Sequence, residues 1–349
     1  MQHDLAVFIG RFQPFHLGHL HAIEEGLKLA KKVLILIGDT GGPRGLKNPW
    51  TAEERKQMIL DSLGTYQREL VMFDIAYDMP SNTEWAGQIQ SIVSNASNWH
   101  KLPSVILIGH EKDASSFYLK MFPQWKHIDT GFEELESGLL RKYNATDIRK
   151  MVWTNTLHYA TGLLHPTTLT YLVNHIKHNP AIYEEFLEEY GAIQAYRKAW
   201  AGSPFPPMFV TTDCVVIQSG HILLIKRGDR PGKGLWALPG GFLDQTESIQ
   251  DGALRELKEE TNIHLQDDVL RRCIVRTFVH DRAGGVSEED RGRIITHVHV
   301  VKLADGKPLA KVKGGDDAAE ARWVPLGEIN YREIFSDHGK IIDRALSGV

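Results

Sequence analysis

At 349 residues, with 42% hydrophobic and 24% charged residues, the chain is long for a single core, so two ordinary soluble domains are expected. A formal net charge of −4 and a pI near 6.5 give no basic footprint, which argues against nucleic acid as a partner. The longest apolar runs, such as "VLILIG" at Val33–Gly38, are strand-sized, and the N-terminus has no basic stretch before its short apolar run. Neither a membrane span nor a secretory leader is therefore expected. The two cysteines, Cys214 and Cys273, stand in no metal spacing and suit a reducing cytoplasm. A homo-oligomer is compatible with all of this.

The first half alternates strand and helix signals. Apolar runs at 5–9, 33–37, 71–75 and 105–108 predict buried strands. Helices are predicted over 17–31, 51–63 and 84–96, the second opening on a capping box formed by Thr51 and Glu54 after Pro49. Such alternation implies a parallel sheet covered by helices. Ligands in these sheets sit beyond the carboxyl ends of the strands, where Gly10, Gly38 and Gly109 fall.

A helix over 180–200 and the proline-rich "GSPFPP" at 202–207 then read as a connector. The expected division is 1–180 for the first domain, 181–207 for the linker and 208–349 for the second domain. The second half opens with strand-like sequence around a Ser219–Gly220 turn. It continues through "GLWALPGGF", an amphipathic helix over 249–261, and strands near 274–279 and 294–302. That is a mixed α+β pattern, distinct from the first sheet.

Two constellations carry chemistry. In "VFIGRFQPFHLGHL" (7–20) an apolar run ends at Gly10 and Arg11, and His16 and His19 flank Gly18. A helix starting near Leu17 puts both imidazoles on its first turn, where unpaired N–H groups and positive potential favour anions. With Arg11 they make a cradle for a polyphosphate. Two solvated histidines at a helix start are the plain alternative, since the chain has 17. "NATDIRK" (144–150) reads as a second helix start, capped by Asn144 or Thr146, with Arg149 one turn in.

"GRFQPFHLGHL" with "NATDIR" resembles the H-x-G-H nucleotidyltransferase superfamily. "GLKNPWTAEER" (45–55), "MPSNTEW" (79–85) and "IGHEKDASSFYLKMFPQW" (108–125) make it similar to the archaeal-type nicotinamide mononucleotide (NMN) adenylyltransferases over residues 5–175. The resemblance implies a Rossmann-like α/β domain with ATP as substrate. It implies that Arg11, His16 and His19 bind the ATP phosphates, Thr146 and Arg149 the β,γ end, and Gly109 and Asp113 the adenosine, with Gly10 and Gly18 also among the nucleotide-binding positions. Asn82 and Trp85 are expected on the nicotinamide, although an aromatic such as Trp85 also suits the buried face of its helix. The implied reaction is in-line attack of the mononucleotide phosphate on the α-phosphorus of ATP, driven by positioning and electrostatics, with no general base. Nicotinate mononucleotide or phosphopantetheine are the alternative acceptors.

The second constellation is "GGFLDQTESIQDGALRELKEETNI" (240–263). On a helix Glu256, Glu259 and Glu260 share one side, an arrangement that repels unless solvated or bridged by a hard cation such as Mg²⁺ or Mn²⁺. The stretch resembles the Nudix box G-x5-E-x7-R-E-U-x-E-E-x-G-U, with U aliphatic, matching at Gly241, Glu247, Arg255, Glu256, Leu257, Glu259, Glu260 and Ile263. The late glycine is Asn262, which tolerates a left-handed helix end. The resemblance implies Glu256, Glu259, Glu260 and Glu247 at the metal, with Glu256 and Glu259 catalytic. "EEDRGRIITH" (288–297) is similar to a segment of ADP-ribose-hydrolysing members. It suggests Arg291 and Arg293 on the substrate and Glu288 or Glu289 as the base. The implied reaction cleaves ADP-ribose to AMP and ribose 5-phosphate. A non-hydrolytic ADP-ribose sensor, or another nucleoside diphosphate derivative as substrate, stands as the alternative.

Overall fold

The computed structural model describes residues 2–79, 81–96, 104–111, 114–131, 143–281 and 287–347. They fall into two compact units, 1–187 and 188–349. The first runs β1 (His3–Gly10), α1 (Leu17–Leu29), β2 (Ala30–Asp39), α2 (Ala52–Ser62), α3 (Thr65–Leu70), β3 (Val71–Tyr77), α4 (Asn82–Ala96), β4 (Val105–Gly109), β5 (Lys126–Asp129), α5 (Ala145–Trp153) and α6 (Pro166–His178). α7 (Pro180–Ala199) contains the division between the units. The expected helical and proline-rich linker, 181–207, is helix over most of its length. Its residues from Glu188 onward cluster with the second unit, because Glu189 accepts the Gly232 N–H there at 2.9 Å.

All five strands of the first sheet are parallel, in the order β3-β2-β1-β4-β5. Val7 at its centre pairs with Leu34 on one side and Leu107 on the other. The inner strands β1, β2 and β4 are buried along most of their length, so they read as continuous apolar runs. α1 ends two residues before the expected Lys31. Ala30 adopts extended backbone and pairs with His3, so the sheet takes the residues that helical periodicity had claimed. Gly26 lets α1 lie against β4, since a Cβ there would stand 2.6 Å from Ile108 Cδ1. The capping box forms as expected: Thr51 Oγ1 accepts the Glu54 N–H and Glu54 accepts the Thr51 N–H at 2.8 Å.

The second unit runs β6 (Met208–Gln218), β7 (His221–Arg227), β8 (Trp236–Ala237), β9 (Gly240–Phe242), α8 (Ile249–Thr261), α9 (Asp267–Arg272), β10 (Ile274–Asp281), β11 (Arg293–Lys302), β12 (Ala318–Pro325) and α10 (His338–Leu346). Its mixed sheet has the order β10-β11-β6-β7-β12, with β9 on β6 and β8 on β7. Ser219 and Gly220 both take positive φ, 46° and 74°, the geometry a two-residue hairpin needs between β6 and β7. Side chains alternate across this sheet. Val215, Ile217 and Leu224 pack with Ile341 and Ile342 of α10, while Cys214, Val216 and Leu223 pack with Leu254 and Leu257 of α8.

Candidate functional site

In the first unit the strand order reverses between β1 and β4, and a cleft of about 650 Å³ opens beyond their carboxyl ends. It is lined by Gly10, His16, Gly18, His19, His110 and Tyr143 among others. The two histidine rings stack 3.5 Å apart with a 16° tilt, and Tyr143 continues the stack 5.7 Å from His16. The His16 N–H donates to His19 Nδ1 at 3.2 Å. That bond makes Nδ1 the acceptor, so the neutral His19 ring carries its proton on Nε2. Gly18 is required by this packing: a Cβ would stand 2.7 Å from Tyr143 Cδ2.

The Leu17 N–H, the first donor of α1, is taken by Leu163 O at 3.0 Å. The helix end therefore contributes fewer donors than its sequence promises, and the imidazoles carry more of the cradle.

Arg149 is buried, 7% exposed, and donates through Nη1 to Gln13 O at 2.7 Å and through Nη2 to Thr146 Oγ1 at 3.2 Å. Asn144 is the cap of α5, accepting the Thr146 N–H at 3.0 Å. Neither Arg149 nor Thr146 lines the cleft; Arg149 instead ties α5 to the loop after β1 at Gln13 O. Arg11 is more exposed than its role as a phosphate ligand suggests; its guanidinium reaches 4.0 Å from Asp78.

Gly109 ends β4, and its carbonyl accepts the Thr130 N–H at 3.3 Å; the next residue, His110, lines the cleft. Asp113 lies outside the described residues. Asn82 stands exposed in the first turn of α4, and Trp85 packs on the core beside Tyr118 and Phe122, at 6.2 and 6.0 Å between ring centroids. Neither lines the histidine cleft, though Tyr118, against which the half-buried Trp85 packs, does.

Sequence reasoning missed Arg55, although it sits in the quoted "GLKNPWTAEER". It is 2% exposed and donates to Arg11 O, Gly38 O and Thr51 O at 2.7, 2.6 and 3.1 Å. Burial pushes its pKa down to about 10. A buried guanidinium with three carbonyl partners ties the ends of β1 and β2 to the start of α2.

In the second unit a cleft of about 1200 Å³ is lined by Gly240, Gly241, Phe242, Arg255, Glu256, Glu259 and Glu260 of the box. Arg255 gathers the carboxylates. It pairs bidentately with Glu247 at 2.7 and 3.0 Å, and its Nη1 reaches Glu256 at 3.0 Å and Glu259 at 2.8 Å. These acceptors raise its pKa, and Arg255 in turn holds that of Glu247 below the ordinary value. Glu260 is 6% exposed; burial pushes its pKa up to about 8, against the opposing hydrogen bond from Gly240 N at 2.8 Å. Burial also raises Glu256.

Two glycines make room. At Gly241 a Cβ would meet Glu256 Oε1 at 2.4 Å, and at Gly240, with φ of 158°, it would meet Thr212 O at 2.2 Å. Asn262 ends α8 in the left-handed conformation, φ 47° and ψ 35°, as its place in the box predicts.

Glu256, Glu259 and Glu260 are hard oxygen donors on one cleft wall, and the two most buried are driven toward neutrality. That donor set fits a divalent cation. Among the described residues no three His, Cys, Asp or Glu side chains share a metal-sized site in this conformation; Glu256 and Glu259 turn to Arg255, and Glu260 to the Gly240 N–H. Glu247 faces Arg255 rather than lining the cleft, which places it in support.

Arg291 lines the cleft and lies over Phe242 and Tyr196, 5.1 and 5.6 Å from their centroids. Arg293 does not line it, being spent on Asp281 at 2.9 Å. Glu288 and Glu289 do not line it either. Their loop is held by α7, whose Gln194 and Arg197 donate to the carbonyls of Glu288, Ser287 and Asp290, and Glu289 is buried. Sequence reading missed Asp213, Arg227, Asp316 and His338, all on the cleft; a carboxylate inside the apolar run "VTTDCVV" was the available signal for Asp213.

A parallel sheet with stacked histidines at its switch point, and a mixed sheet bearing a carboxylate helix, define a nucleotidyltransferase joined to a Nudix domain. Residues 7–79 match the cytidylyltransferase-like family and residues 208–345 the NUDIX domain family. The nicotinamide/nicotinic acid mononucleotide adenylyltransferase of Acinetobacter baylyi is 40% identical over 149 residues, 42% of this chain and 74% of that protein. The ADP-ribose pyrophosphatase of Methanocaldococcus jannaschii is 35% identical over 136 residues, 38% of this chain and 70% of that one.

A crystal structure of a bifunctional NMN adenylyltransferase/ADP ribose pyrophosphatase from Francisella tularensis, complexed with AMP and a Mn ion, superposes with a TM-score of 0.86. It is 32% identical and covers 99% of both chains. The chain belongs to the family of bifunctional NMN adenylyltransferases/ADP-ribose pyrophosphatases, whose two domain families depend on divalent metals. Among the described residues no helix is long and apolar enough to cross a membrane.

Proposed function

We propose that each cleft carries one of the family's two reactions. The chain is an NMN adenylyltransferase and an ADP-ribose pyrophosphatase. In the first unit the mononucleotide 5′-phosphate attacks the α-phosphorus of ATP and pyrophosphate leaves. His16 and His19 donate hydrogen bonds to the triphosphate, and their donors oppose the negative charge that builds on it during transfer. Arg149 and Thr146 shape the neighbouring edge, with Arg11 on the solvent side. The observation that carries this reading is the stacked His16–His19 pair at the β1/β4 switch point, with His19 holding its proton on Nε2.

In the second unit water attacks a phosphorus of ADP-ribose, giving AMP and ribose 5-phosphate. Glu256, Glu259 and Glu260 would hold Mg²⁺, or Mn²⁺ in its place, and the cation when bound polarises the pyrophosphate. Glu247 and Arg255 set the carboxylates in place, and Arg291 with Phe242 offers a flat cationic surface at the cleft wall. The substrates are small nucleotides, and nothing in the charge of the chain calls for nucleic acid; we place the enzyme in the cytoplasm.

The test is product analysis with the full chain. ATP with NMN should give NAD and pyrophosphate, and ADP-ribose with Mg²⁺ should give AMP and ribose 5-phosphate. Nicotinate mononucleotide is the second acceptor to assay, because the Acinetobacter relative is named for both nucleotides. Transfer to phosphopantetheine in preference to either would overturn the first assignment. ADP-ribose binding without AMP release would overturn the second.

A further inference from the structure

We infer that Gln13 is a positioning residue for adenylyl transfer, acting through the loop that carries Arg11 and His16. The inference rests on the adenylyltransferase reading of this cleft. Gln13 is 3% exposed, and both ends of its amide are committed: Nε2 donates to Trp50 O at 2.8 Å and Oε1 accepts the Trp50 N–H at 3.2 Å. Its own carbonyl accepts Arg149 Nη1 at 2.7 Å. One residue therefore joins three elements: the loop after β1, the segment before α2, and the guanidinium on α5.

The loop needs such a clamp. Phe12, just before Gln13, has a φ of 53°, a conformation that side chains with a Cβ avoid unless their surroundings impose it. The carbonyls on either side of Phe12 are each held by a buried guanidinium, Arg11 O by Arg55 and Gln13 O by Arg149. The post to which Gln13 is pinned is itself fixed. Trp50 is 1% exposed, and its indole N–H donates to Tyr183 Oη at 3.2 Å. Tyr183 Oη is 3.0 Å from His175 Nδ1, and His175 Nε2 is 2.9 Å from Glu54 Oε1. Glu54 is locked by Arg44 at 2.7 and 2.8 Å.

Gln13 touches no reacting atom in this arrangement. It sets where His16 and Arg149 stand, groups matched to charge that develops in the transition state. Its loss should therefore fall on kcat more than on substrate KM.

Gln13→Ala in the full chain should lower kcat for NAD formation about 100-fold, the scale of an ångström-level misplacement, with the KM values for ATP and NMN changing less than about threefold. ADP-ribose hydrolysis by the same preparation should be unchanged. Gln13→Glu supplies the readout that a purely structural role would not move. Above the pKa of the introduced buried carboxyl, the side chain cannot donate to Trp50 O; once protonated, it can.

The ratio of Gln13→Glu to wild-type kcat should therefore rise, by about fivefold or more, as the pH falls from about 8 to about 6. A Gln13→Ala kcat within threefold of wild type, a loss confined to KM, or a Gln13→Glu profile parallel to wild type would each overturn the inference. Should Gln13→Ala fail to fold, the Gln13→Glu profile decides alone. A wild-type chain that forms no NAD overturns the parent reading and this inference with it; an active wild type with indifferent Gln13 variants overturns this inference only.

Discussion

The two clefts handle the same kind of bond, a phosphoanhydride, with opposite charge. The first is lined by two stacked imidazoles at a helix start, and buried guanidiniums that spend themselves on backbone carbonyls hold their loop. The second presents three carboxylates on one helix wall, two of them, Glu256 and Glu259, met in this structure by Arg255. A cleft of donors meets a polyphosphate directly. A cleft of carboxylates repels it unless a cation stands between, and two buried carboxyls displaced upward in pKa register that demand. Both families depend on divalent metals, but the first cleft brings donor side chains of its own, whereas the second offers mainly carboxylates and needs its cation held on them.

The comparison can be broken most forcefully at the metal. Removing divalent cations with a chelator should stop ADP-ribose hydrolysis altogether, while circular dichroism shows the fold retained and Mg²⁺ restores the rate. Next in size, His16→Ala should cost roughly 10²–10³-fold in NAD formation, since it deletes one donor to developing charge and leaves hydrolysis alone. Gly18→Ala should follow. Its Cβ would press on the buried Tyr143 ring at 2.7 Å, lowering thermal stability of the first unit by about 1–3 kcal/mol and displacing His19.

Glu54 gives a pH-dependent case. Burial alone would raise its pKa, but Arg44, the Thr51 N–H and His175 outweigh it and bring the value from 4.5 down to about 2. Because the folded value lies below the unfolded one, the stabilisation is fully present above about pH 4.5 and is lost as pH falls toward 2. Glu54→Gln should therefore destabilise the chain at neutral pH in denaturant titrations by an amount solvent screening keeps below the full shift, and the gap to wild type should close in acid. The smallest effect is Asn262→Gly. A left-handed helix end with φ of 47° suits glycine, but the Asn262 side chain also donates to Lys313 O at 3.1 Å, so the melting temperature should move by the equivalent of less than about 1 kcal/mol.

What could be read in advance follows from how local each signal is. Strands β1 to β4 of the first sheet, the Thr51–Glu54 box, the Ser219–Gly220 turn and the α8 boundaries are set by neighbours in sequence, and periodicity found them; β5, a polar "KHID", offered no apolar run and was missed. The carboxylate helix was legible for the same reason, its three glutamates lying within five residues.

Long-range choices were not. Ala30 left α1 because His3 offered it a sheet partner. Glu288, Glu289 and Arg293 carried the right chemistry in the right segment, yet that segment is tied down by α7 and Asp281, partners distant in sequence. Trp85 could be core or ligand contact on sequence alone, and its half-buried packing on Phe122 and the cleft-lining Tyr118 suits either. Gln13 and Arg55 were inside quoted motifs, but their worth lies in carbonyls they meet only once the sheet is assembled.

The central claim, two chemically separate sites on one chain, is tested most directly by crossing two substitutions with two assays on the same preparations. His19→Ala should abolish NAD formation and leave ADP-ribose hydrolysis at its wild-type rate; Glu259→Gln should abolish hydrolysis and leave NAD formation untouched. A substitution that silences both activities in a folded chain, or either one that spares the reaction assigned to its cleft, would contradict the account.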